Sequence, residues 1–274
     1  MFKEIFENVT AKTPLVHNIT NYVTVNDCAN IILACGGSPI MADDINEVED
    51  ITSICTSLVI NIGTLNERTV KSMIAAGKRA NQLNHPVVLD PVGAGASKLR
   101  NETILELLNE VKFSVIRGNI SEIKFVASGS GMAKGVDAAE GDAVNADNLE
   151  DVINLAKNLS RDTGAVIAIT GAVDIIADSK KAYIIKNGHP LMSKVTGTGC
   201  MLSAVIGSFA GANPDNMLDA TACAVSSMGI CGELAHKKLE ANDAGTNSYR
   251  TYIIDFMSKM NHELFEGSAK IEGR

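Results

Sequence analysis

The stretch Val195-Thr196-Gly197-Thr198-Gly199-Cys200 sets two glycines, two hydroxyls and a thiol directly before the apolar run MLSAVIGSFAG. Glycines let the backbone come close to a ligand, and a helix starting here turns its unsatisfied N–H groups and positive dipole end toward whatever lies in front. That arrangement binds anions. An ordinary helix start capped by Thr196 or Thr198 uses the same residues, so the motif alone leaves both readings open. Cys200 falls in the first helical turn, where the dipole favours a thiolate and a neighbouring phosphate would oppose it.

A second constellation is RGNISE, where Asn119 and Glu122 stand three residues apart at a strand-to-helix turn and face the same edge of the first turn. An amide and a carboxylate so placed suit a hydrated Mg²⁺, which keeps several of its waters. A capping box, Asn119 as N-cap and Glu122 closing it, accounts for them equally well. More polar residues end apolar runs: Asn61 with Gly63, Asp90 with Gly93 and Gly95, Arg117 with Asn119, Thr170 with Gly171. Singly these are loop residues satisfying backbone groups; together they form a rim where open α/β sheets bind ligands, outside the carboxyl ends of the strands.

The elements that must position this rim are short apolar runs alternating with helical patterns. SLVINIG (57 to 63), PVVLDPVG (86 to 93), FSVIRGN (113 to 119) and AVIAITG (165 to 171) predict strands, and LNERTVKSMIAAGKRANQLN is typical of the amphipathic crossovers between them. Such βα repetition predicts a largely parallel sheet. DIIADSKKAYIIKNG predicts an antiparallel hairpin at the sheet edge, and residues from Gly197 to about 265 are predicted mostly helical. No Pro/Ser-rich linker divides the chain, which predicts a single domain over residues 1–265. The Gly-rich stretch 128–144 is its most loop-like part. Residues 266–274 are predicted to be a disordered tail, ending in IEGR, which resembles a protease recognition sequence fused to expressed proteins.

Composition bounds the partners. Of the 274 residues 46% are apolar, and the net charge of −8 argues against nucleic acid or an anionic membrane, both of which reward clustered Lys and Arg. The six cysteines form no C-x-x-C pair and the five histidines are scattered away from them, which argues against zinc. The N-terminus lacks the basic start and apolar run of a signal peptide, and no stretch of about 18 apolar residues occurs. A cytoplasmic protein with free thiols follows as the expectation, with Cys28, Cys35, Cys55, Cys223 and Cys231 acting as small hydrophobes.

Four segments, LVHNITNYVTVNDCANIILACGGSPIMADD, VVLDPVGAGAS, VIRGNISEI and VTGTGCMLSA, resemble in order and spacing the hydroxyethylthiazole kinase family of thiamine-precursor salvage, within the ribokinase-like superfamily. The similarity runs over essentially the whole chain up to the tail. It implies a three-layer α/β fold, with helices on both faces of a mostly parallel sheet, and a homotrimer with active sites between subunits. It also implies phosphoryl transfer from Mg-ATP to the primary hydroxyl of 4-methyl-5-(2-hydroxyethyl)thiazole. By that resemblance Arg117 and Thr170, with Asn119 beside them, contact ATP; Asp90 and Glu122 act near Mg²⁺; Gly197, Thr198 and Gly199 form the anion hole. Asn21 and Met41 line the thiazole pocket, with Gly63 close by, although Met41 on its own reads as a core gap-filler. In the wider superfamily an Asp usually follows GTG as the base. Here it is Cys200, as in the thiazole kinases, so its role as base stays open.

Three other readings compete. One is a related ribokinase-like activity, a hydroxymethylpyrimidine-type kinase or a nucleotide-repair dehydratase. Another is a nicotinamide dehydrogenase, opposed by the lack of a G-x-G-x-x-G after the first strand. The third is a non-catalytic nucleotide sensor, opposed by the joint presence of Asp90, Arg117, Glu122, Gly197 and Gly199.

Overall fold

The computed structural model describes residues 2–129, 144 and 148–274, so most of the glycine-rich stretch 128–144 lies outside the described residues. The chain begins α1 (Phe2–Lys12), β1 (Leu15–Ile19), α2 (Val25–Ala34), β2 (Ser38–Ile40), α3 (Val48–Ile54), β3 (Ser57–Asn61) and α4 (Glu67–Gln82). It continues β4 (Val87–Asp90), α5 (Lys98–Glu110), β5 (Val115–Gly118), α6 (Ile120–Ala127), α7 (Leu149–Thr163), β6 (Val166–Ile169), β7 (Asp174–Ala177) and β8 (Ala182–Ile185). A 3₁₀ turn (Pro190–Lys194) leads into α8 (Thr198–Ala212), α9 (Met217–Ala241), α10 (Thr246–Met257), α11 (His262–Ser268) and β9 (Ile271–Gly273).

The strands form one sheet in the order β2-β1-β3-β4-β5-β6-β7-β8-β9. From β2 to β6 every pairing is parallel, and the last three are antiparallel. Alternation along each strand splits the core in two, because successive side chains point to opposite faces. Val59 joins α1, α2 and the helices from α8 onward, whereas Leu58 and Ile60 join α4 to α7 on the other face. Helices thus cover both faces of the sheet, as predicted.

Two features of this arrangement place the rim. The chain passes from β1 outward to β2, then crosses back to β3 on the other side of β1. The connections leaving β1 and β3 therefore diverge, opening a crevice at their carboxyl ends. Register then aligns the ends of the neighbouring strands: Asn61 lies opposite Asp90, and Arg117 and Gly118 lie opposite Ala168 and Ile169. Above them runs α8, buried continuously from Met201 to Ala210, as a helix that is apolar all round must be. Gly207 lets it settle on the sheet, since a Cβ there would meet Val59 at 2.5 Å and Val16 at 3.1 Å. Ser57 Oγ donates to the Gly207 carbonyl at 2.8 Å and fixes the contact.

The four predicted strands are present, and the hairpin is β7 and β8. Its predicted place at the edge is corrected, because β9 pairs outside β8: Tyr183 with Gly273, Ile184 with Glu272, Ile185 with Ile271. The tail predicted to be disordered is therefore ordered as α11's end and β9. An unpaired β8 would leave a row of open backbone groups, and even a polar segment can satisfy them. Asn187 anchors the segment, accepting from Lys270 N at 2.8 Å and donating to the Ser268 carbonyl at 3.0 Å. All six cysteines are free.

Candidate functional site

A cleft of about 580 Å³ opens between the carboxyl ends of β5 and β6, the segment following β8, and the helices α8 and α9. Arg117, Asn119, Thr170, Thr198 and Gly199 line one end of it; Met192, Val225 and Met228 bring apolar surface to it. Gly197, not a threonine, is the N-cap of α8, and its φ of 88° lies in the left-handed region that favours glycine. Of the two readings the motif left open, the cap by Thr196 or Thr198 is not the one found: no side chain caps the helix, and the Thr198 hydroxyl donates instead to the Met192 carbonyl at 3.3 Å. The left-handed turn leaves the first N–H groups of α8 without a side-chain acceptor, as an anion cradle requires.

Arg117 reaches this turn from β5. Its Nη2 donates to Thr170 Oγ1 at 2.8 Å, its Nη1 lies 3.5 Å from both Asp90 oxygens, and its Nε is buried without a hydrogen-bond partner. A Cβ on Gly199 would stand 2.6 Å from Arg117 Nη1, so that glycine is what lets the guanidinium lie against the helix start.

Asp90 is fully buried at the end of β4. Its Oδ2 accepts from Asn61 Nδ2 and from Ser203 Oγ, each at 2.8 Å. Burial still raises its pKa above the usual carboxylate range, against the pull of Arg117 and these donors. Glu122 and Asn119 form the full capping box: Asn119 Oδ1 accepts from Glu122 N at 2.9 Å, and Glu122 Oε2 accepts from Asn119 N at 2.8 Å. The second oxygen, Oε1, accepts from Gly93 N at 2.9 Å. Burial raises the pKa of Glu122 too, and the charge of Asp90 adds to the effect. The cap and a like-charge repulsion from Asp90 therefore coexist in one side chain.

Cys200, one residue past the cleft-lining Gly199, belongs to a second group. Its Sγ accepts from Asn21 Nδ2 at 3.2 Å and from Asn61 Nδ2 at 3.3 Å, and Asn21 Nδ2 also donates to Asn61 Oδ1 at 3.1 Å. Asn61 therefore touches both Cys200 and Asp90. Gly63 N donates to Asn61 Oδ1 at 2.9 Å, and a Cβ at Gly63 would crowd Asn61 and Asn21 to 2.9 and 3.0 Å. The thiolate favoured by a helix dipole is not realised: burial, and then the charge of Asp90, raise the thiol's pKa. Met41, just past β2, is partly buried against the core of α1, α2 and α8, on which Cys200 also packs.

Sequence reasoning missed several residues around these groups. Arg100, on α5, donates to the carbonyls of Ile62 at 2.6 Å, Val92 at 2.5 Å and Gly63 at 2.7 Å, tying the loops after β3 and β4 together. Thr24 donates to Asn21 Oδ1 at 3.1 Å and packs where a Gly197 Cβ would be. Asp174, Asn187, Gly188 and His189 line the cleft opposite α8. The available signal was a polar residue at the end of each antiparallel strand, too generic to single out.

A family model described as the hydroxyethylthiazole kinase family matches residues 6–263. A hydroxyethylthiazole kinase of Clostridium acetobutylicum is 62% identical over 272 residues, covering 99% of each chain. The solved structure of a hydroxyethylthiazole kinase from Pyrococcus horikoshii OT3 matches with a TM-score of 0.87 at 36% identity, covering 100% of this chain and 98% of that one. A ribokinase-like superfamily protein from Enterococcus faecalis V583 shares the fold at 10% identity, with a TM-score of 0.62 over 93% of this chain and 88% of that one. The matched span takes in the rim, the glycine turn and both groups around α8. With its ribokinase-like fold, the chain belongs to the hydroxyethylthiazole kinase family.

Proposed function

We propose that this kinase transfers the terminal phosphoryl group of Mg-ATP to the primary hydroxyl of 4-methyl-5-(2-hydroxyethyl)thiazole, a salvage step toward thiamine. The observation that carries the reading is that one helical turn serves two sites. Thr198 and Gly199 line the large cleft, while the next residue, Cys200, lies in the small Asn21–Asn61 group. A nucleotide in the first and an alcohol in the second meet at the start of α8.

Phosphoryl transfer passes through a loose transition state and needs positioned charge more than covalent chemistry. The open N–H groups of α8 and the cleft-lining Arg117 guanidinium take the negative charge on the transferring oxygens. Thr170 orients Arg117, and Asn119 holds the adjoining turn through its cap. Gly197 and Gly199 keep the cradle free of side chains. In the acceptor site Asn21, Met41 and Gly63 receive the thiazole, Met41 as a polarisable wall. Cys200, a protonated thiol, orients the hydroxyl rather than deprotonating it, which a late proton departure permits.

Asp90 and Glu122 fit a hydrated magnesium ion. They are hard oxygen donors, both held partly toward the neutral form by burial, and a nearby cation would favour their ionised forms. Three of their four oxygens, Asp90 Oδ2 and both Glu122 oxygens, accept short hydrogen bonds, so the residues would hold the ion through its waters. When bound it would neutralise phosphate charge.

The chain is further proposed to work in the cytoplasm as a homotrimer whose subunits complete one another's thiazole sites. Tyr22 and Val23, directly after Asn21, are 78% and 58% exposed, an apolar surface beside the acceptor group that a second copy would cover. The deciding measurement of the activity is ADP release from Mg-ATP with and without hydroxyethylthiazole, the product confirmed by mass. Thiazole-dependent release supports the reading. Release only with a pyrimidine alcohol, or no release on any alcohol from folded protein, overturns it in favour of the related kinase or the dehydratase.

A further inference from the structure

The cleft has two unlike ends. Arg117, Thr170 and the start of α8 make one suited to phosphates; Pro190, Met192, Val225 and Met228 make the other apolar. Among the described residues lining it, His189 bears the single aromatic ring. That ring is stacked on His236 of α9, with centroids 3.6 Å apart and planes 23° apart. Resting on the assignment of this cleft to ATP, we propose that His189, backed by His236, is the platform on which the purine base of the nucleotide stacks, and that it sets the base preference.

The ring is prepared for this in three ways. Its Nδ1 accepts from Leu191 N at 3.2 Å, which leaves the proton of the neutral ring on Nε2 and holds the ring at the head of the 3₁₀ turn. Burial, then the neighbouring His236, lower its pKa against the pull of Glu240 and Glu233, which favours the neutral ring for stacking. Finally, the polar side chains at this end are already committed: Ser193 Oγ donates to the Pro190 carbonyl at 2.8 Å. Asn187 accepts from Ser226 Oγ and Lys270 N and donates to Glu233 and the Ser268 carbonyl, each at 2.8 to 3.2 Å. Its amide has no hydrogen left for a base edge, so discrimination falls to stacking area, which favours a purine over a pyrimidine.

The test separates the ring from its role as a cap. His189→Asn keeps an acceptor for Leu191 N and removes the ring; His189→Phe keeps a ring and removes the acceptor. ATP and CTP affinities are measured by titration calorimetry, and KM for each triphosphate at saturating thiazole. In His189→Asn the ATP constants rise about tenfold while those for CTP stay within about twofold, and kcat and the thiazole KM hold. In His189→Phe the ATP to CTP preference returns to within about threefold of the parent. An unchanged preference in His189→Asn, or a loss in His189→Phe equal to that in His189→Asn, overturns the proposal. Because calorimetry needs no alcohol, ATP binding by a parent that phosphorylates no thiazole would sink the kinase reading and still decide this one.

Discussion

Two glycines two residues apart make different demands at the start of α8. A methyl on Gly197 meets Thr24 and must also adopt a φ of 88°, so it disturbs the turn itself. One on Gly199 meets first the guanidinium of Arg117, the far end of a flexible side chain, which would have to shift relative to Thr170 and Asp90 while the backbone keeps its course. Gly199→Ala is therefore expected to hold its melting temperature within about 2 °C while kcat/KM for ATP falls about a hundredfold. Gly197→Ala is expected to lose several degrees as well as activity. Thermal unfolding beside steady-state kinetics checks both, and a Gly199→Ala enzyme with full ATP efficiency would remove Arg117 from the phosphate site. Cys200 makes a third case. Burial raises its pKa, and its Sγ accepts from Asn21 and Asn61. Cys200→Ala should thus lower kcat about tenfold or less, and Cys200→Asp should keep or raise it; a loss of about a thousandfold in Cys200→Ala would make the thiol the base.

At the scale of elements, the turn joining β6 to β7 carries a pH dependence. Asp174 opens β7, accepts from Gly171 N at 2.8 Å, and is pushed up to about 7 mainly by burial. Between the ordinary carboxylate pKa of about 4 and this value, the folded protein keeps a proton that the unfolded chain has released. The contribution of Asp174 to stability is accordingly full in acid and is lost as pH rises toward 7. Asp174→Asn retains the acceptor for Gly171 and cannot ionise, so it should melt about 3 °C or more above the parent at pH 8 and no higher than the parent at pH 4.5. Melting curves of the two proteins that shift in parallel with pH would refute this. The same elements show what was legible in advance. β3 to β6 announce themselves because each is a Val/Ile run ending in a polar residue, and those polar residues are the rim. β1 escaped because His17 and Asn18 interrupt its apolar run, though both are buried, and β2 because it has three residues including Pro39. β9 escaped since a polar strand is defined by the edge it completes. The glycine turn was legible as a motif; that Gly197 caps it, that Ser203 and Asn61 hold Asp90, and that Arg100 clamps two loops depend on strands meeting in space.

The whole molecule divides its site unequally between what one chain encloses and what it leaves open. The cleft proposed for the nucleotide is lined by residues from β5 to α9, whereas Asn21 sits beside the exposed Tyr22 and Val23. A protein that buries two full cores yet exposes such residues beside the Asn21–Asn61 group fits the proposed subunit contact there. Activity should then follow assembly. On dilution, the particle mass and the thiazole kinase rate are expected to fall together, and Val23→Asp is expected to give monomers at concentrations where the parent has the mass of the proposed trimer. ATP affinity provides the internal control, since neither Tyr22 nor Val23 lines the proposed nucleotide cleft and Val23→Asp should bind nucleotide as the parent does. Loss of both affinity and rate would mean only that the variant had misfolded, and the dilution series of the parent would then decide. Monomers with full thiazole turnover would show that each chain completes its own acceptor site, and that Tyr22 and Val23 serve some other surface.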